Sequence, residues 1–91
     1  MIQILGAGSP SGISEADLIF NEEPSGPINS SNKVFSISNI PKSKKKVLLF
    51  RNGIMCYEGS DADYYLVDNI INFLDNSIPQ SGDTLLTTYL K

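Results

Sequence analysis

The chain has 91 residues, with ten acidic against seven basic side chains and a net charge of −3, so it has room for one core only. This acidic balance disfavours nucleic acid as a partner, since phosphate contacts need an excess of Lys and Arg. A single cysteine, Cys56, excludes an internal disulfide, and no apolar run approaches the roughly 20 residues that cross a membrane. We therefore expect a protein made in a reducing cytoplasm, with no membrane partner.

Residues 1–14 are rich in glycine, serine and proline and predict an N-terminal arm. The opening run, Met1-Ile2-Gln3-Ile4-Leu5, is too short for a signal peptide and has no basic residues before it. It is long enough to add a strand to a neighbouring sheet. A disordered terminus is the alternative interpretation. Residues 15–91 are predicted to form one domain.

Short apolar segments then predict strands in chain order. Residues 16–20 form the first candidate, and residues 33–38 alternate with a period of two. Residues 46–51 and 54–57 flank Asn52-Gly53, which predicts a type I′ hairpin because both central residues of that turn need positive φ.

A second hairpin is predicted over residues 64–67 and 70–74, joined by Asp68-Asn69. Residues 84–90 form the last strand. Residues 67–74 also place apolar side chains at helical spacing, so a helix there is the open alternative.

This pattern predicts an all-β chain of about six to eight antiparallel strands, as a small sandwich or barrel. The predicted core is Phe35, Ile37, Val47, Leu49, Ile54, Leu66, Ile71, Phe73, Leu85 and Tyr89.

The residue types argue against catalysis. Without histidine the chain has no Ser-His-Asp or Cys-His pair and lacks the commonest transition-metal ligand. Asp61 and Asp63 could share a face, but nothing around them completes a calcium loop. We expect no cofactor, no metal and no enzymatic activity.

Four lysines, Lys42, Lys44, Lys45 and Lys46, precede the third strand. They are candidates for contact with an acidic partner. The favoured alternative is a solvated loop that discourages edge pairing, and no aromatic residues interleave them to stack on bases.

Short motifs from Phe20 to the C-terminus follow one another in a recognisable order. They are Glu23-Pro24-Ser25-Gly26, Asn32-Lys33-Val34-Phe35, Leu48-Leu49-Phe50-Arg51-Asn52-Gly53, Asp63-Tyr64-Tyr65-Leu66, Ile70-Ile71-Asn72-Phe73, Pro79-Gln80-Ser81-Gly82-Asp83 and Leu85-Leu86-Thr87-Thr88-Tyr89. In this order the chain resembles the small immunoglobulin-like β-domains of tailed-bacteriophage virion proteins. The lysine-rich turn departs from the neutral Gly-Ser loop common in that family, and the arm has no family counterpart.

The resemblance implies a virion component, made in the host bacterial cytoplasm and attached in many copies to the capsid, neck, tail or fibre proteins of the particle. Attachment is expected through interface burial and strand addition. The candidate interface residues are Ile2, Ile4, Leu5, Tyr57, Tyr64 and Tyr65, the tyrosines acting as anchors where they are exposed. The alternative interpretation is that these are ordinary core or half-buried strand residues. A receptor- or glycan-binding module is the alternative, with tyrosines stacking on sugars beside the loops over 57–65 and 75–83.

Overall fold

A computed structural model describes residues 17–91 and contains seven strands in that range, with no α-helix. The strands are β1 (Leu18–Glu22), β2 (Val34–Ser36), β3 (Val47–Arg51), β4 (Ile54–Cys56), β5 (Tyr64–Val67), β6 (Ile70–Phe73) and β7 (Leu85–Leu90). Single 3₁₀ turns cover Lys44–Lys46 and Asp75–Ser77. The helical alternative for residues 67–74 is therefore wrong. The predicted arm lies outside the described residues.

The strands form two antiparallel sheets. One has four strands in the order β1-β7-β3-β4, and the other has three in the order β2-β6-β5. The predicted all-β class and strand number are confirmed. No helix in the described part of the chain is long and apolar enough to span a membrane.

Both predicted hairpins are present. Asn52 and Gly53 have φ of 54° and 81°, as a type I′ turn between β3 and β4 requires. At the β5–β6 turn Asp68 has φ of 54°, whereas Asn69 does not have positive φ. Asp and Asn reach this region at lower cost than other side chains, because their short polar groups bond locally.

One core cluster contains residues from both sheets, and it includes every predicted core residue except Ile54. The side chain of Ile54 is 73% exposed, so its predicted burial is wrong. The reason is that Ile54 is the first residue after the turn, at the tip of the edge strand β4. Cys56, two residues further along the same face, is buried in its place, and Tyr64 joins the cluster.

A β-bulge in β1 shifts its register against β7 between Ile19 and Glu22. Asn21 adopts φ of 54° at this point, and its N–H donates to Oγ1 of Thr88 at 3.1 Å. The bulge brings the carboxylate of Glu22 to the hydroxyl of Tyr89 at 2.6 Å.

Candidate functional site

The outer side of the four-stranded sheet is apolar. Along β3 and β7, residues that point inward alternate with residues that point outward. The outward residues of the two strands lie opposite each other, Phe50 beside Leu86 and Leu48 beside Thr88. We call the outward set the apolar face, and it consists of Leu18, Phe20, Leu48, Phe50, Met55, Leu86 and Thr88. It contains no charged side chain. Phe20, Leu48 and Met55 are 62%, 42% and 40% exposed.

The outer side of the three-stranded sheet is mixed. Asn72 lies between Val34 and Tyr65 in register, and Ser36 follows on the same side of β2. The amide of Asn72 donates to the carbonyl of Ile70 at 3.3 Å. Polar groups therefore interrupt the apolar surface on this side.

The edge of β2 is closed by polar groups from the preceding segment. The side-chain amide of Asn32 donates to the carbonyl of Val34 at 2.8 Å and accepts from its N–H at 3.2 Å. Ser25 and Ser36 exchange two backbone hydrogen bonds of 2.7 and 3.0 Å. An incoming strand would find these groups occupied.

The edge of β5 is closed in a similar way. The N–H of Leu66 donates to Oε2 of Glu58 at 3.2 Å, and that of Tyr64 to the carbonyl of Tyr57 at 3.3 Å. Next to β4, the N–H of Tyr57 donates to Oδ2 of Asp63 at 2.9 Å. The β4 edge itself spans three residues only.

The outer edge of β1 differs from these. The N–H of Lys91 donates to the carbonyl of Asp17 at 2.9 Å, so in the antiparallel ladder the backbone groups of Leu18 point away from β7. No residue in the described range 17–91 bonds to Leu18 or Phe20 from that side. Of the described edges, β1 offers the best template for an added strand.

Exposed lysines gather at one end of the four-stranded sheet. The N–H of Lys42 donates to the carbonyl of Leu90 at 2.8 Å, which brings the lysine-rich turn to the end of β7 and to Lys91. We call Lys42, Lys44, Lys46 and Lys91 the lysine end; all four are exposed. The side chain of Lys45 is not among those described. No local sequence pattern places Lys91 in this group, because its position depends on the course of β7.

Acidic side chains lie at the opposite end, where β7 begins. Glu23 and Asp83 line one small cleft beside Leu85. Hydrogen bonds from Asn52 and Gln80 lower the pKa of Asp83, with Arg51 adding a smaller effect at 4.0 Å. Charge of opposite sign is thus separated along the strands.

The predicted interface residues have different outcomes. Tyr57 and Tyr65 are 64% and 41% exposed, so both are available as anchors. Tyr64 is completely buried, because β5 turns Tyr64 and Leu66 to the same inward face, so it does not meet the condition of exposure on which its role as an anchor depended. Ile2, Ile4 and Leu5 lie outside the described residues.

A polar cleft of about 390 Å³ lies between the β3–β4 turn and the loop over residues 75–83. Its polar groups bond to one another: Nη1 of Arg51 donates to the carbonyl of Ser77 at 2.7 Å, and Asn52 Nδ2 to Asp83 Oδ1 at 2.9 Å. None of the tyrosines lines it. The stacking arrangement expected for sugar binding is not assembled there.

The hydroxyl of Tyr89 joins the four-stranded sheet to the loop after β2 through a polar network. It donates to Glu22 and accepts from the backbone and side-chain amides of Asn39, each at 3.2 Å. Oε2 of Glu22 accepts from the N–H and hydroxyl of Ser38, both at 2.7 Å. Burial by itself would raise the pKa of Glu22, but the hydrogen bonds from Tyr89 and Ser38 outweigh it and hold the pKa below its ordinary value.

Two side chains with reactive hydrogen-bearing groups, Cys56 and Tyr64, have raised pKa values. No cluster of three or more His, Cys, Asp or Glu residues is placed to hold a metal ion within residues 17–91. Burial raises the pKa of the Cys56 thiol, with a further contribution from Asp63, which disfavours the nucleophilic thiolate. Burial likewise raises the pKa of Tyr64.

Comparisons of this chain with family models, with curated proteins and with solved structures found no match. The resemblance to phage virion domains therefore stays a prediction.

Proposed function

We propose that this chain is a non-enzymatic structural component of a tailed-bacteriophage virion, attached in several copies to capsid, neck or tail proteins. The observation that carries the proposal is the outer edge of β1, which no residue of the range 17–91 occupies, beside exposed Phe20, whereas the β2 and β5 edges are closed. Such an edge is the usual receptor for strand addition, in which main-chain hydrogen bonds provide affinity. We further propose an immunoglobulin-like arrangement, supported by the division of seven strands into sheets of four and three.

The proposed attachment has two complementary parts, one in the arm and one at the edge of β1. Residues 1–5 supply an apolar strand to a neighbouring protein, and the edge of β1 receives a strand in turn. Tyr57 and Tyr65 provide exposed aromatic contact area on other parts of the surface, Tyr57 next to β4 and Tyr65 on the outer side of the three-stranded sheet. The exposed tyrosines do not line the polar cleft between the β3–β4 turn and residues 75–83, so that cleft does not support a glycan-binding role.

Two experiments test this proposal. Mass spectrometry of purified particles should detect the protein, and its absence from particles would refute the virion assignment. Deletion of residues 2–14 should leave the fold intact but abolish incorporation; normal incorporation of the truncated chain would refute the role of the arm.

The edge of β1 has its own matched pair of variants. Leu18→Pro removes an N–H that points away from β7, which edge strands tolerate, so the domain should fold but no longer receive a strand. Leu18→Ala also shortens the side chain but keeps the N–H, and we expect it to incorporate normally. Equal incorporation of both folded variants would contradict strand addition at this edge.

A further inference from the structure

The apolar face includes Leu18 and Phe20 of β1, but it differs from the edge of β1 in consisting of side chains rather than of main-chain groups. Its contacts are made by side chains that project from the sheet, and three of them are at least 40% exposed. Contiguous apolar surface of this kind on a small domain marks a contact site. We propose that two copies of this chain associate through their apolar faces, an activity that goes beyond the proposed attachment to other virion proteins.

The distribution of charge selects a second copy as the occupant. The lysine end carries four exposed cations against the nearby Asp17, whereas at the other end of the same strands Glu23 and Asp83, with Arg51 4.0 Å from Asp83, leave a smaller net negative charge. A twofold axis in the plane of the interface and perpendicular to the strands places the lysine end of each copy over the acidic end of its partner. An axis parallel to the strands would bring the two lysine ends together. The molecule is thus complementary to itself in the first orientation.

The dimensions of the sheet set the expected affinity. Four strands spaced by about 4.8 Å and about five residues rising 3.4 Å each give a face of roughly 19 by 17 Å. This footprint of roughly 320 Å² is less than half of the about 800 Å² per partner that standard specific interfaces bury, so the contact belongs with weak, transient associations. We therefore expect a concentration-dependent dimer with a dissociation constant on the order of 10–100 μM.

Sedimentation equilibrium of the full chain provides the test. The mass should rise from that of the 9.9 kDa chain towards twice that value as concentration passes through this range. Leu48→Lys places a charge in the centre of the apolar face and should weaken association at least tenfold. Val67→Lys is the matched control, since Val67 is 51% exposed on the outer side of the other sheet; it should leave association unchanged.

Charge reversal tests the orientation. Lys46→Glu should weaken the dimer several-fold at low salt, and this difference should shrink in high salt because the charges are screened. Far-ultraviolet circular dichroism and thermal unfolding establish that each variant is folded.

Several results would overturn the proposal. One is a monomer mass at every concentration, and another is equal weakening by Leu48→Lys and Val67→Lys. If the full chain is monomeric but deletion of residues 2–14 makes it dimerise, the chain's own N-terminal segment covers the face instead. A full chain that stays monomeric but binds a purified virion protein through Leu48 would assign the face to that protein. The results on self-association are independent of whether the protein is incorporated into particles, whereas binding of a virion protein through Leu48 would support the proposed attachment.

Discussion

Two tyrosine-to-phenylalanine substitutions should have different effects on the free energy of unfolding: Tyr89→Phe should lower it, and Tyr64→Phe should not. Tyr89 and Tyr64 are both buried, with 1% and 0% of their surfaces exposed, and each substitution removes a single oxygen atom. The Tyr89 hydroxyl donates to Glu22 and accepts from Asn39, whereas the buried Tyr64 hydroxyl has no hydrogen-bond partner within the described residues. The pair therefore isolates the contribution of the hydrogen bonds from that of packing.

The magnitudes follow from the two environments. A hydrogen bond to a charged group contributes about 1.5–3 kcal/mol, but Glu22 is only partly buried and keeps its bonds from Ser38. We expect Tyr89→Phe to lower the free energy of unfolding by about 1–2 kcal/mol. Tyr64→Phe removes a buried hydroxyl without breaking a bond to a described residue, so it should be neutral or stabilising by up to about 1 kcal/mol.

Urea denaturation followed by circular dichroism measures both effects. With a denaturant slope of about 1 kcal/mol per molar for a domain of this size, Tyr89→Phe should lower the midpoint by about 1–2 M. Tyr64→Phe should leave the midpoint unchanged or raise it. A loss for Tyr64→Phe as large as that for Tyr89→Phe would refute the reasoning, because it would mean that the Tyr64 hydroxyl makes a stabilising bond.

Three further predictions concern other parts of the domain. The pKa of Glu22 is lowered in the folded protein. Its contribution to the free energy of unfolding is therefore present above the unfolded pKa near 4.5 and is lost as pH falls through the folded pKa. Glu22→Gln should flatten the pH dependence of unfolding in that window, and an unchanged profile would contradict this. Gly26 has φ of 143°, and an added Cβ would lie 2.7 Å from Cδ2 of Phe35, so Gly26→Ala should cost about 1–3 kcal/mol in urea unfolding; wild-type stability would disprove the clash. Leu49→Ala in the core should lower the free energy of unfolding by about 2–5 kcal/mol. Ile54→Ala, at an exposed position, should lower it by less than about 0.5 kcal/mol. Similar losses for the two variants in thermal unfolding would count against the assigned burial.

The strands were predictable from the sequence because their signals are local. Asn52-Gly53 determines a turn by its own backbone preference, and the alternation around Phe35 and Leu85 identifies the inward face without knowledge of the partner strand. The same alternation that placed Leu66 in the core also places Tyr64 there. An aromatic residue with a hydroxyl is compatible with either environment, so the residue type alone did not decide between them.

The contact surfaces were less predictable because they depend on long-range pairing. The edge of β1 differs from the other edges because Asn32 occupies the edge of β2 and Glu58 that of β5, while no residue in the range 17–91 occupies that of β1. Lys91 joins the lysine end only because β7 carries it to the backbone of Lys42. The exposure of Ile54 likewise depends on how far the core extends along β4 towards the turn, which no local sequence pattern predicts.

The asymmetry between the two sheets makes the two proposed contacts separable. The three-stranded sheet has closed edges and a mixed outer side, whereas the four-stranded sheet has both the open edge of β1 and the apolar face. Strand addition depends on main-chain groups and should respond to Leu18→Pro, which leaves the side chains at the centre of the apolar face in place. Association of two copies depends on those side chains and should respond to Leu48→Lys, which leaves the main chain of β1 unchanged. If each variant impaired both incorporation and self-association equally, the edge and the face would form one continuous interface, and the assignment of separate roles to them would be wrong.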